Sequence, residues 1–255
     1  MNCFNAIIPA MFLLFLHLAP AFAAQGDVSA ANEGAVYDDL FLDGDMDQGQ
    51  PVQTVVVADP LEPVNRVFFQ FNDKLYFWFL KPVATGYGAV VPKPFRNGIS
   101  NVFKNLEFPI RFVSSLLQGK ILRAGKETGR FVLNTTCGVA GLFNVAEEVA
   151  PLASSPEDLG QTLGRYGLGH GAYLVLPVLG PSSLRDAAGR FGDSFLDPVS
   201  YVSPREASMA LRGEKVVNTT SLRLGEYEDL KEASLDPYTA FKDAYLQYRE
   251  RMVQQ

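Results

Sequence analysis

The feature that most limits the fold of this 255-residue chain is an aromatic stretch at residues 59–82. Its aromatic residues crowd into the middle of the stretch: Phe68, Phe69, Phe71, Tyr76, Phe77, Trp78 and Phe79. A helix-start pattern precedes them, because Asp59 can cap a helix, Pro60 suits its first position and Glu62 completes a capping box. The stretch is therefore predicted to be a helix with an unusually aromatic surface.

Apolar residues recur in this stretch at helical spacing and define one face of the helix. They are Val64, Val67, Phe68, Phe71, Leu75, Trp78 and Phe79. Further aromatic residues on the other side leave only a narrow polar strip between Asn65 and Lys74. The pair Lys81-Pro82 predicts the end of the helix, because proline interrupts helical hydrogen bonding.

A helix that is apolar around most of its circumference must be buried or must contact lipid. A simple membrane span is not predicted, because a span needs about 20 apolar residues. Asn72, Asp73 and Lys74 would also lie near the centre of the bilayer, where charged groups are costly. Two interpretations stay open at this point: a core helix of a soluble domain, and a helix lying in the plane of a membrane surface.

Residues 1–23 have the organisation of a secretory signal peptide. Positions 7–18 are apolar, and Ala21-Phe22-Ala23 matches a signal-peptidase site. A lipoprotein signal would place a cysteine directly after the apolar run, whereas Cys3 precedes it. We therefore predict an exported protein without a lipid anchor.

Residues 24–58 are predicted to form an acidic, disordered linker. They contain seven acids and no base: Asp27, Glu33, Asp38, Asp39, Asp43, Asp45 and Asp47. Removing these from the 28 acids of the chain leaves 21 acids against 22 bases, so the remainder is close to neutral. No basic patch indicates a nucleic-acid partner.

The predicted mature chain has one cysteine, Cys137, and one histidine, His170. An intramolecular disulfide is thereby excluded, and Cys137, in an apolar run, is expected to be a small buried residue. Acyl-transfer catalysis needs a nucleophile, a base and an orienting acid, but no GxSxG motif accompanies His170. The sequence predicts no enzyme activity, no catalytic residue, no metal site and no cofactor.

The chain after Pro82 is predicted to be mostly helical. A turn-rich connector is expected at 83–97, followed by helices near 99–106 and 110–117. A third helix is expected at 120–134, with its small and apolar residues facing inward. Those residues are Ile121, Leu122, Gly125, Thr128, Gly129, Val132 and Leu133.

Later helices are expected at 182–195, at 206–233 with an interruption at Gly213, and from Asp236-Pro237 onward. No segment shows the alternation of a half-buried strand. The glycine-rich segment 156–181 matches neither a P-loop nor a dinucleotide fingerprint. Its glycines predict a tight loop with close backbone approach. The fold class is therefore mostly α.

An apolar, glycine-broken loop at residues 135–146 is the second notable stretch. It carries no charge from Cys137 to Phe143 and is too short to span a membrane. Gly138 and Gly141 disfavour a helix interior. Burial in the core and contact with lipid both account for such a loop.

An ordered series of short motifs between residues 59 and 248 resembles the MlaA (VacJ) family of outer-membrane phospholipid-removal proteins. The early motifs are Asp59-Pro60-Leu61-Glu62, Asn65-Arg66, Phe71-Asn72, Lys81-Pro82-Val83-Ala84, Arg96-Asn97-Gly98 and Ser100-Asn101. The later motifs are Arg130-Phe131, Leu133-Asn134-Thr135, Gly160-Gln161-Thr162-Leu163-Gly164, Tyr166-Gly167, Leu184-Arg185-Asp186 and Asp236-Pro237-Tyr238. No single motif is decisive, but their order is specific.

The resemblance implies one ring-like helical domain at residues 59–253, lying in the periplasmic leaflet of the outer membrane. An amphipathic channel would take misplaced phospholipid and pass it to a periplasmic carrier resembling MlaC, beside a porin trimer. The helix at 59–82 would face the membrane through Phe68, Phe71, Leu75, Trp78 and Phe79. The lipid-binding hairpin would comprise Gly138, Val139, Ala140, Gly141, Leu142 and Phe143, and Asp59, Glu62, Asn65, Arg66 and Asn72 would be structural motif residues.

Two alternatives to a phospholipid channel stay open. One is a periplasmic adaptor that docks on a porin without moving lipid. The other is a lipid hydrolase that uses His170 as its base.

Deletion of residues 24–58 is expected to leave the fold of the body intact, because a solvated acidic segment contributes little to a core. Thermal melting of the full and deleted chains should give the same midpoint. A clearly lower midpoint for the deleted chain would show that the segment packs against the body.

Overall fold

The computed structural model describes residues 57–149, 152 and 154–255. The predicted signal peptide, and the predicted linker as far as residue 56, lie outside the described residues. For the last two linker residues the prediction of disorder is wrong, because Val57 packs against the core and the Ala58 carbonyl accepts from the N–H of Tyr173 at 3.2 Å. The helices are α1 (Glu62–Leu75), α2 (Lys81–Val90), α3 (Lys93–Leu106), α4 (Phe108–Leu117), α5 (Ile121–Thr136), α6 (Val145–Val149), α7 (Leu159–Arg165), α8 (Leu184–Asp193), α9 (Arg205–Leu222), α10 (Glu226–Ala233) and α11 (Pro237–Gln254). The prediction of a mostly α fold is confirmed.

A π-helical segment, Tyr76–Leu80, joins α1 to α2, so the prediction that the helix ends at Lys81-Pro82 is wrong. The N–H of Lys81 bonds the carbonyl of Tyr76, five residues earlier. Proline has no N–H and its ring clashes with the carbonyl four residues earlier in a regular α-helix. The wider turn accommodates Pro82, and most of the predicted connector at 83–97 is consequently helical.

Asp59 does not cap α1, contrary to the sequence prediction. Leu61 occupies the N-cap position without a side-chain hydrogen bond. The Asp59 carboxylate instead accepts from Asn65 Nδ2 at 2.8 Å and from the hydroxyl of Tyr238. The carboxylate that the local pattern assigned to the helix end therefore binds the side chains of Asn65 and Tyr238 instead.

Two short strands, β1 (Tyr173–Leu176) and β2 (Gly180–Ser183), form an antiparallel hairpin. The prediction that no strand is present is therefore wrong. Each strand has four residues, which is too short for alternation to stand out from a buried apolar run. Tyr173 and Val175 are buried in the core with Tyr238 and Leu246.

The free edge of β1 is closed by two asparagine side chains of α1. Asn65 donates to the carbonyl of Tyr173 at 3.0 Å and accepts from the N–H of Val175 at 2.9 Å. Two helical turns later, Asn72 donates to the carbonyl of Leu176 at 2.9 Å and accepts from the N–H of Val178 at 2.7 Å. These amides satisfy backbone groups that an edge strand would otherwise leave unpaired.

Helix α5 is oriented opposite to the prediction. Its buried residues are Ala124, Glu127, Arg130 and Asn134, whereas Ile121 and Leu122 are 66% and 75% exposed. Glu127 is buried because its carboxylate accepts from Arg111 Nε of α4 at 2.7 Å. Buried charges require such partners, so the ion pair fixes the polar side of the helix inward.

Two further local predictions are wrong. Helix α9 continues through Gly213, and the break comes at Gly225, whose φ of +109° suits glycine. Cys137 is exposed rather than buried.

Among the described residues, no helix has both the length and the apolar composition to cross a bilayer.

Helices α7 and α8 approach each other closely through glycines. The prediction of a tight loop at 156–181 is wrong where α7 and the two strands form, but the close backbone approach predicted there is found at Gly160. A Cβ on Gly189 would lie 2.3 Å from the backbone nitrogen of Gly160. Asp158 caps α7 by accepting from the N–H of Gln161 at 2.7 Å. The same carboxylate accepts from Arg249 of α11, which also binds Asp186 of α8.

Gly189→Ala is expected to lower the unfolding free energy by about 2–4 kcal/mol, because the added methyl group meets backbone atoms that cannot rotate away. Gly213→Ala is the matched control, since a Cβ there meets nothing within 4 Å. It is expected to raise helix stability by up to about 1 kcal/mol. Chemical denaturation measures both values, and equal behaviour of the two variants would contradict the packing argument.

Asp193 gives the α7–α8 junction a pH dependence. Burial and the nearby Asp158 carboxylate raise the pKa of Asp193 to about 7, against about 4 in an unfolded chain. Between these values the unfolded chain releases a proton that the folded chain retains, so this group's contribution to stability falls as pH rises.

Asp193→Asn should therefore raise the unfolding free energy at pH 8 by about 1–3 kcal/mol and leave it nearly unchanged near pH 4. The asparagine oxygen can still accept from the N–H of Leu159, as Asp193 does at 3.2 Å. Asp229→Asn, at an exposed position of α10, is the control. Parallel stability curves for Asp193→Asn and the unmodified chain would refute the prediction.

Candidate lipid-contact site

The first part of the site is the hairpin loop, residues 137–144, which follows α5. Its backbone folds back on the helix end through bonds from Gly141 N–H to the carbonyl of Asn134 at 2.8 Å and from Phe143 N–H to that of Gly138 at 3.0 Å. Val139, Ala140 and Gly141 have φ values of +52°, +58° and +94°. Two successive non-glycine residues in the left-handed region are uncommon and mark a strained turn.

The hairpin loop is docked on α3. A Cβ on Gly141 would lie 2.7 Å from Cβ of Asn105, so glycine is required for this contact. Asn101 donates to the carbonyl of Leu142 at 3.3 Å, and Leu142 lies over Gly98. The tight packing makes the loop a fixed feature of the surface.

Asparagines also hold the two ends of the hairpin loop. Buried Asn134 donates to Asn144 at 3.1 Å and accepts from the N–H of Ala146 at 2.9 Å. Asn105 of α3 donates to the hydroxyl of Thr135 at 2.9 Å. Amide side chains thus satisfy the polar groups at the base of an apolar loop.

The structure divides the six predicted hairpin residues into two groups. Gly138 and Gly141 are buried and Leu142 is half-buried. Val139 and Phe143 remain 54% and 39% exposed, and Ala140 is exposed as well. Backbone and glycines therefore dock the loop, while apolar side chains are presented outward.

The second part is the aromatic face of the α1–α2 helix, defined here as Phe71, Trp78 and Phe79. These side chains are 49%, 78% and 61% exposed. Of the other two residues predicted to face a membrane, Phe68 packs against the core and Leu75 is half-buried. Contiguous exposed aromatic side chains are a mark of an interaction surface.

Polar contacts fix the opposite side of the same helix. Asp73 accepts from Tyr227 at 3.0 Å and from Lys231 at 2.6 Å, both on α10. Arg66 donates to Asp236 at 2.9 Å and lowers the pKa of that carboxyl to about 2. The helix is therefore held in one orientation about its own axis, and in this orientation its aromatic face points outward.

The structure gives each of the five motif residues a defined contact. Asp59 binds Asn65, and Glu62 accepts from Arg66 Nε at 2.8 Å. Asn65, with Asn72, closes the edge of β1. The motif thus links α1 to the β-hairpin formed by β1 and β2 and, through Arg66, to the start of α11.

A third apolar feature, which sequence analysis missed, is an open groove along α5 of about 610 Å³. It is lined by Ile121, Leu122, Gly125, Lys126, Gly129 and Leu152. The i, i+4 spacing of Gly125 and Gly129 is the signal that could have indicated it. The groove lies on the outer surface of the protein because the polar side of α5 faces the interior.

His170 is buried, and its Nε2 lies 3.3 Å from Glu250 Oε2. Burial and the neighbouring Arg185 lower its pKa. Asp158 and Asp186 both form ion pairs with Arg249. Within the described ranges, no three His, Cys, Asp or Glu side chains gather as metal ligands would.

The family model described as MlaA lipoprotein matches residues 57–252. The intermembrane phospholipid transport system lipoprotein MlaA of Escherichia coli (strain K12) is 36% identical over 195 residues, covering 74% of this chain and 76% of the relative. Its namesake in Haemophilus influenzae is 31% identical, with 74% and 76% covered.

An uncharacterised protein of Rickettsia bellii is 34% identical over 199 residues, with 78% of each chain covered. A solved structure from work on the structural basis for maintenance of bacterial outer membrane lipid asymmetry is 37% identical. Its TM-score is 0.69, and the match covers 77% of this chain and 99% of the solved one. The chain therefore belongs to the MlaA lipoprotein family.

Proposed function

We propose that this protein is the outer-membrane component of a phospholipid transport system, which removes misplaced phospholipid from the outer leaflet. The observation that carries the proposal is the inverted distribution of polarity on α4 and α5. Arg111 and Glu127 pair at 2.7 Å in the interior, while Leu117 and Ile121 are exposed. Such an arrangement is stable where the outer surface meets lipid and the inner surface meets polar groups.

The energetics of phospholipid transfer explain why a protein path is needed. A phospholipid that enters water exposes roughly 30 methylenes at about 0.8 kcal/mol each, on the order of 20 kcal/mol in total. A transport protein must therefore offer a continuous apolar path to the chains and a polar path to the head group. A ring in the periplasmic leaflet that encloses an amphipathic channel would provide both.

The aromatic face is proposed to place the protein in the membrane surface. Phe71, Trp78 and Phe79 are presented together, and moving them from water into the interface would contribute on the order of 4 kcal/mol. Trp78 also lies beside Lys74, with 6.0 Å between Nζ and the ring centroid. An aromatic ring next to a lysine is typical of the interface between acyl chains and head groups.

The hairpin loop is proposed to contact the moving lipid. The N–H groups of residues 140–143 are bonded to carbonyls of the loop and of α5, and the Leu142 carbonyl accepts from Asn101 of α3. These bonds lower the cost of placing Val139 and Phe143 against acyl chains. The proposal includes an acceptor, a periplasmic carrier like MlaC, and a neighbouring porin trimer. It involves no catalysis, no metal and no cofactor.

Lipid extraction tests the proposal at the loop. The chain purified from envelopes in mild detergent is expected to carry phospholipid in about stoichiometric amount, read by mass spectrometry. Val139→Asp with Phe143→Asp should remove most of it, because both side chains are exposed and two charges would repel acyl chains. Leu235→Asp, at a fully exposed position on another loop, is the matched control.

Circular dichroism must show that the double variant is folded. Equal amounts of phospholipid in the folded double variant and the control would show that the hairpin loop is not needed for lipid binding, and would contradict this part of the proposal. Absence of phospholipid from all three proteins would favour a porin-docked adaptor.

A cellular measurement separates transport from the other two interpretations. A strain that lacks the protein is expected to accumulate outer-leaflet phospholipid, and the unmodified gene should reverse this. His170→Ala should complement fully, since transport does not need a base. Porin co-purification with normal surface phospholipid in the deletion strain would support an adaptor, and failure of a folded His170→Ala protein would support a hydrolase.

A further inference from the structure

The turn of the β-hairpin is a second apolar projection, separate from the hairpin loop at 137–144. Val178 and Leu179 at its tip are 69% and 62% exposed. From Ala172 to Leu184 the sequence contains no charged residue. A tight turn in water would ordinarily carry Asn, Asp, Gly or Ser at these positions.

Val178 also adopts a backbone conformation that its side chain disfavours. Its φ is +68°, which glycine or asparagine adopts readily and a β-branched residue rarely does. The fold therefore keeps an apolar side chain at a position where a polar or glycine residue would be less strained. Strain of this kind points to a role for the side chain itself.

Two polar backbone groups at the start of the turn are bonded by a side chain of α1. Pro177 and Pro181 have no N–H to satisfy. The Val178 N–H and the Leu176 carbonyl are both bonded by the amide of Asn72, at 2.7 and 2.9 Å. These bonds lower the cost of placing the start of the turn in hydrocarbon, because unpaired backbone groups are expensive there.

The turn is also held by the helix that carries the aromatic face. Asn72, which holds the tip, directly follows Phe71 of the aromatic face in α1. The same helix therefore fixes the position of both features. Contact of one with the bilayer would bring the other close to it.

From these observations we propose that residues 177–179 form a lipid-inserting tip that enters the acyl region of the bilayer beside the aromatic face. The inference rests on the proposed function, because it requires the α1–α2 helix to lie at a membrane surface. Its occupant is the lipid bilayer. The tip would act as a second anchoring point and restrict rotation of the protein about the axis of α1.

Site-directed fluorescence quenching tests the proposal on the full chain. Cys3 and Cys137 are the two cysteines of the sequence and are replaced by serine, after which Leu179→Cys is labelled with an environment-sensitive fluorophore. Leu235→Cys in the same background is the control, because that side chain is fully exposed on another loop. The vesicles contain phosphatidylethanolamine and phosphatidylglycerol, with or without nitroxide groups on the acyl chains.

The label at position 179 should shift to shorter wavelength on vesicles and lose several times more of its intensity to nitroxide quenching than the label at 235. Trp78, the sole tryptophan of the chain, reports independently on the aromatic face. Quenching of Trp78 without quenching at position 179 would overturn the tip proposal and leave the proposed function standing. Failure to quench either would count against both.

A second variant measures what the apolar tip contributes. Val178→Asn suits the left-handed backbone and removes the apolar side chain, so the fold should be as stable as before or more so. Vesicle binding should weaken about tenfold, as expected when one valine side chain no longer enters lipid. Unchanged binding by a folded Val178→Asn protein would contradict insertion of the tip.

Discussion

The side-chain amides of Asn65 and Asn72 hold strand β1 against helix α1, and the placement of both apolar surfaces depends on this contact. Each amide donates to one carbonyl and accepts from one N–H, so each replaces a strand neighbour that β1 lacks. Because the two residues are seven positions apart, they occupy the same side of the helix. Rotation of α1 is thereby fixed, and Phe71 and Trp78 are left outward.

Polarity is partly inverted in the rest of the described structure. Several interior contacts are ion pairs or amide bonds, among them Arg111–Glu127 and Arg249–Asp186. Large apolar side chains such as Trp78, Leu122 and Phe191 are exposed in return. A water-soluble domain would gain several kcal/mol by burying such residues, so their exposure supports the proposal that the protein lies in lipid. Membership of the MlaA lipoprotein family is consistent with this requirement.

Local patterns predicted the helices better than they predicted their orientation. The final helix was correctly placed from Asp236-Pro237, because a cap, a proline and periodic aromatics all agree there. The faces of α5 were reversed, since periodicity shows which residues share a side but not which side is inward. That choice was made by Arg111, which lies sixteen residues before its partner Glu127. Cys137 was misplaced for a related reason, because an apolar segment was assumed to be buried.

The sequence by itself determined the helical class, the family and the two stretches rich in apolar groups, because these follow from composition and from the order of short motifs. Only the tertiary structure decided which apolar side chains face outward, because that depends on pairings between distant residues. The tertiary structure likewise decided the π-helical turn before Pro82 and the position of the β-hairpin held by Asn72. A proline or an asparagine restricts the local backbone, but its neighbours in space decide whether the chain ends a helix, continues it or exposes an apolar turn.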